Sequence, residues 1–149
     1  MADTTTAPPR LFGSSQQFFE DVEIGPPVET PGLTVTEAHV ELYAGLVSWR
    51  PADAGAVPDL LPLALSSGLG WRANRTPLAV LAFMGVDWSF HHPVRVGDTI
   101  HNRSRTAAKR GMKEGGLVLE EREILNQRGE VVQSGRLRVL VARRPSPAP

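Results

Sequence analysis

Hydrophobic and polar positions divide the chain into a helical first half and a strand-rich second half. Between Thr34 and Val47 apolar residues recur with helical spacing: Val40, Ala44 and Val47 share a stripe that Leu42, Tyr43 and Leu46 widen. Thr34-Val35-Thr36-Glu37 reads as a capping box that opens this helix. Trp49-Arg50-Pro51 closes it, because the residue before a proline is pushed out of the right-handed helical region. Ahead of it, "FFEDVEIGPPVETPG" predicts a short strand stopped by Gly25-Pro26-Pro27. A second helix is predicted over residues 62–73, "PLALSSGLGWRA", although Ser66, Gly68 and Gly70 are poor helix formers. Small residues in such a helix point to close packing on a neighbour, or to a ligand that approaches the backbone.

From residue 78 the pattern turns to β, with strands predicted at 78–92, 99–109, 117–127 and 131–143. Gly97-Asp98 marks a turn, and "GMKEGG" and "RGE" are hairpin signals. Helices followed by an antiparallel meander give an α+β architecture. Residues 1–15, rich in Thr, Ala, Pro and Ser, are expected to form a flexible arm, and "PSPAP" at 145–149 a flexible tail. Residues 16–144 are expected to fold as one domain.

Composition narrows the function classes. With 16 basic and 16 acidic residues in 149, the chain has no global field to attract nucleic acid or an anionic membrane. The absence of cysteine removes disulfides, thiolate metal sites and cysteine nucleophiles. The N-terminus lacks a basic leader and an apolar core, so it does not read as a signal peptide. The longest apolar run, "PLAVLAFMGV", is about half of the ~20 residues that a membrane helix needs. A soluble, cytoplasmic protein is expected.

Four segments, "FFEDVEIG", "LTVTEAHVELYAGLVSWRP", "FHHPVRVGDTI" and "NQRGEVVQSGRLRVLV", resemble the MaoC-like hot-dog family of (R)-specific enoyl-thioester hydratases and 3-hydroxyacyl-thioester dehydratases. The likeness spans residues 17–143, and its most specific parts are the turn Pro93–Thr99 and the hairpin Asn126–Val132. It implies a hot-dog fold, a curved antiparallel sheet wrapped around a central helix, here the one at 62–73. It also implies a dimer joined sheet edge to sheet edge, either a homodimer or a heterodimer with another hot-dog subunit. The acyl chain would lie beside the central helix, carried on coenzyme A or phosphopantetheine, with no other cofactor. Backbone donors around Ser66, Ser67 and Gly68 would polarise the thioester carbonyl.

The likeness fails at the chemistry. The family pattern resembles "GDWNPxH", and "VSWRPAD" keeps its Trp as Trp49 and its Pro as Pro51. Ser48 stands where the catalytic Asp is expected, Arg50 replaces the Asn, and Asp53 replaces the catalytic His. No histidine lies between residues 40 and 90, and His39 is about 13 Å along a helix from Ser48. Hydration of an enoyl thioester needs one group to activate water and another to protonate C2. The candidates are Asp53, if desolvated rather than paired with Arg50; Ser48, which is not basic enough alone; and His91 or His92.

The two histidines are adjacent on a predicted strand and should face opposite sides, which makes a poor metal chelate. No metal site is expected. Trp49, Trp71, Trp88, Phe83 and Phe90 are expected to pack the helix and sheet or to line a substrate pocket. Arg50, Arg72 and Arg75 are candidates for gripping phosphates, or plain surface arginines. Asp98 is a turn residue.

Two function classes follow. One is an enzyme of lyase type on acyl-thioester or polyketide-like substrates, with Ser48 and Asp53 replacing the dyad, or a repurposed cyclase, isomerase or thioesterase. The other is a subunit without activity that shapes the acyl tunnel of a partner dehydratase; a simple ligand-binding module differs from it only in lacking a catalytic partner.

Overall fold

The computed structural model describes residues 15–73 and 75–145; residues 1–14 and 146–149, which carry nearly all of the expected arm and tail, lie outside them. Two short strands, β1 (Val28–Glu29) and β2 (Leu33–Thr34), lead into helices α1 (Glu37–Val47) and α2 (Leu60–Leu69). Four long strands follow, β3 (Val80–Phe90), β4 (Thr99–Met112), β5 (Gly115–Leu125) and β6 (Val131–Val141). The four strands predicted from residue 78 onward are all present, with ends displaced by at most three residues. They form an antiparallel sheet in the order β1-β4-β5-β6-β3, and β2 also pairs with β4. No helix of the described residues is long and apolar enough to cross a membrane.

Each hairpin has a local cause. Lys113-Glu114 joins β4 to β5. Between β5 and β6, Asn126 Oδ1 accepts the backbone N–H groups of Arg128 (2.9 Å) and Glu130 (3.1 Å), while Gly129 takes φ +77°. Helix α2 packs on β4 and β5, burying Leu61, Pro62, Ser66 and Leu69. Pro62 is tolerated because it sits in the first turn, where its missing N–H has no helical partner. One core cluster joins Val35, Val94, Ile100, Ile124 and Val132. A second joins Phe19, Val22, Val118 and Val141. This is the α+β hot-dog arrangement, with α2 as its central helix.

Four expectations need correction. Residues 18–24 form no strand: Asp21 accepts the Phe18 N–H at 3.1 Å and closes a 3-10 turn over Phe19–Asp21. The cap of α1 is Thr36 rather than Thr34, its N–H donating to His39 Nδ1 at 3.1 Å, while Thr34 pairs in β2. The helix stops at Val47, before the proline acts, because Ser48 turns left-handed (φ 54°, ψ 32°). Finally, the α1 stripe is half-buried only at Val40, Tyr43 and Ala44; Leu42 (72% exposed), Leu46 (85%) and Val47 face outward. The sheet takes α2 as its core helix, so α1 has only a narrow side to bury.

The turn from Pro93 to Asp98 ties distant segments together. Asp98 accepts the Arg95 N–H and the Gln127 side chain, each at 2.8 Å. Its carbonyl accepts the Val35 N–H at 2.8 Å, Gly97 N–H donates to Val35 O at 2.8 Å, and Val96 N–H donates to Gly55 O at 3.0 Å.

Candidate functional site

The loop from Ser48 to Asp59 leads from α1 to α2. Ser48 ends α1 in the left-handed conformation that L residues other than Asn and Asp adopt rarely. Asp53 is exposed, and its partner is Arg95, not Arg50: Arg95 Nη2 donates to Asp53 Oδ1 at 2.6 Å and to the Ala54 carbonyl at 2.8 Å. Asp53 in turn holds the Arg95 guanidinium above its ordinary pKa. Trp49 is half-buried and Arg50 exposed.

His91 and His92 do not alternate on a strand. Strand β3 ends at Phe90, and the N–H groups of both histidines converge on the Val132 carbonyl, at 2.9 and 3.1 Å. His91 Nε2 also meets Ser134 Oγ at 2.7 Å. The predicted packing aromatics divide as well. Trp88 packs on the core and donates from Nε1 to Gln133 Oε1 at 2.9 Å. Trp71, Phe83 (60% exposed) and Phe90 keep much of their surface open instead of filling the core.

Beneath α2 the concave face of the sheet leaves a cavity of about 510 Å3. Of the residues singled out by sequence, Ser67, Trp71, Arg75 and Phe83 line it. Ser48, Trp49, Arg50, Asp53, Gly68, Arg72, Trp88 and His92 do not. Ser67 and Gly68 lie in the last turn of α2, so their N–H groups close helical bonds rather than standing open at an N-terminus. The Ser67 hydroxyl donates to the Ala64 carbonyl at 2.6 Å. Arg72 is exposed on the 3-10 turn that continues α2.

Sequence reading missed what lies on the cavity floor. Glu120 and Arg122 both point inward from β5 and are buried, and Arg122 Nη1 donates to Ser66 Oγ of α2 at 3.1 Å. Nearby, buried Asn102 donates to the Ser66 carbonyl at 2.7 Å, and its Oδ1 has no partner among the described residues. The available signal was parity: Glu120 and Arg122 share it with Val118 and Ile124. On the opposite face Arg103, Arg105 and Arg136 pair with Glu121 and Glu123 around a second depression of about 430 Å3. There Arg105 leads the contacts that hold Glu121 below its ordinary pKa.

No family model and no curated protein matches the sequence. Solved structures do. The monoamine oxidase regulatory protein of Archaeoglobus fulgidus is 27% identical, with TM-score 0.79 over 91% of this chain and 100% of that one. The MaoC-like dehydratase of Rhodospirillum rubrum is 25% identical, with TM-score 0.72 over 87% and 99% of the two chains. The HadBC 3R-hydroxyacyl-ACP dehydratase complex of Mycobacterium tuberculosis shares the fold alone, at 16% identity and TM-score 0.61 over 77% and 96%. The chain thus has a hot-dog fold, and its structural neighbours are MaoC-like dehydratases and R-hydratases at low sequence identity.

Proposed function

We propose that this protein handles an acyl-thioester or polyketide-like substrate in a hydratase/dehydratase-type reaction, with the acyl chain in the cavity under α2. The cavity carries the reading: about 510 Å3 falls within the range of small-molecule sites, in a fold shared with MaoC-like dehydratases. Trp71 and Phe83 offer the chain apolar surface, and partly exposed Arg75 offers a carrier phosphate a cation. Ser48 and Asp53 are the proton-transfer candidates of this reading, and Asp53 must exchange Arg95 for the substrate to act.

Strand β3 supports a dimeric form. It pairs only with β6 among the described residues and exposes Leu81, Met84, Val86 and Phe90 along an 11-residue edge. A second hot-dog subunit added there would cover an edge that otherwise invites uncontrolled pairing.

One observation favours a second reading, a subunit without chemistry. Asp53 is bound to Arg95, Ser48 ends a helix, and neither lines the cavity. Turnover assays separate the two, using purified protein with short and bulky 2-enoyl and 3-hydroxyacyl thioesters, alone and mixed with a hot-dog dehydratase that retains the Asp and His. The enzyme reading expects turnover by the protein alone, falling about 10²–10⁴-fold in Asp53→Asn. Activity only in the mixture, indifferent to Asp53→Asn and Ser48→Ala, establishes the second reading.

A further inference from the structure

The cavity floor is charged, which a tunnel for plain alkyl chains does not require. Glu120 and Arg122 are 8% and 9% exposed. Arg122 donates through Nε to Glu120 Oε1 (2.8 Å) and through Nη1 to Ser66 Oγ, and its Nη2 lies in ion-pair contact with the same Glu120 oxygen at 2.6 Å. Arg75 brings a second guanidinium to 3.6 Å from Glu120 Oε2. Two cations therefore meet one carboxylate. The other carboxylate along the cavity, Glu23, is exposed.

Stability does not explain this cluster, because a buried ion pair is no better for folding than well-packed apolar residues of its size. Nor are its donors exhausted: a guanidinium has five N–H groups, and among the described residues Arg122 spends two in hydrogen bonds. Surplus positive charge in a half-dry cavity attracts an anion more strongly than the same charge in water.

We propose that Arg122 and Arg75 receive a carboxylate carried by an otherwise apolar chain, whose body lies against Trp71, Phe83, Leu137 and Val139. This rests on the reading that the cavity takes the acyl chain, and it narrows the substrate class to chains that bear an acidic group inside the cavity.

The test is calorimetric titration of the full chain with octanoate and with 1-octanol, which share a tail and differ in charge. Octanoate is expected to bind at least about tenfold tighter, the value of one charge-assisted hydrogen bond. Arg75→Gln, in a partly exposed loop, and the double variant Glu120→Leu with Arg122→Met should each reduce the ratio of octanoate to octanol affinity. Equal affinity for the two probes, binding of neither, or an undiminished preference in both variants overturns the proposal. Binding as expected without thioester turnover removes the enzyme reading and keeps this one. Turnover of alkyl enoyl thioesters with equal probe affinities does the reverse.

Discussion

Removing Arg122 alone should damage the fold, and removing it together with Glu120 should not. In Arg122→Met the buried Glu120 carboxylate loses a hydrogen bond at 2.8 Å and an ion-pair contact at 2.6 Å, and among the described residues it retains only Arg75, at 3.6 Å. Orphaning one member of a buried pair costs about 3–5 kcal/mol, and the remaining Arg75 places this case near the lower end. For a chain of this length that lowers Tm by about 6–12 °C. In Glu120→Leu with Arg122→Met no buried charge is stranded, since Arg75 is partly exposed, and the main loss is the bond to Ser66 Oγ, worth about 1 kcal/mol. The cycle should therefore show a coupling of about 2 kcal/mol or more. Urea unfolding measures it, provided the denaturant slope is unchanged between variants. An Arg122→Met protein within about 1 kcal/mol of wild type, or a double variant as unstable as the single one, refutes the reasoning.

Other parts of the molecule give sharp outcomes. Ser48→Gly relieves a left-handed residue worth about 1–2 kcal/mol against an unfolded-state penalty of about 0.5–1, so Tm should rise by about 2 °C; an unchanged or lower Tm rejects the strain. Gly116→Ala drives a Cβ into the Phe19 ring and should cost about 1–3 kcal/mol in urea unfolding, largely independent of substrate. Leu81→Lys with Met84→Lys on the β3 edge should leave the fold intact and shift sedimentation towards monomer. Burial pushes the Asp98 carboxyl up, but bonds from Gln127 and the Arg95 N–H, with the Arg128 and Arg95 charges, hold it below its ordinary value. A depressed carboxylate stabilises above its unfolded value and loses that contribution as pH falls through its folded one. The Tm gap between wild type and Asp98→Asn should thus be full above pH about 5 and close under acid.

The four long strands were legible because alternation, paired glycines and hairpin residues all pointed the same way. Helix α1 was legible as a helix, but its burial was not. Periodicity shows which positions share a face, and only the sheet decides that α2 rather than α1 fills the concave side. The site divided along the same line. Trp71, Arg75, Phe83 and Ser67 could be picked out by residue type, and the fold brings them to one cavity. Glu120 and Arg122 were hidden because "LVLEEREIL" places polar residues on both faces of β5, so a charged pair turned inward looks like a solvated one. The Asp53 partner, Arg95, is 42 residues away, a pairing that no local pattern encodes.

The turn at Pro93–Asp98 has a bearing on how the chain finds its shape. It fastens Asp53 across 42 residues, Gln127 across 29, and Val35 from the far side of both helices. Closing a loop costs entropy that grows only with the logarithm of its length, so these three closures differ little in individual cost. What distinguishes them is a shared anchorage: the first fastening shortens the search for the other two. Asp98 thereby couples the approach of the Ser48–Asp59 loop to the zippering of β5 on β6, two events that sequence distance alone would leave independent.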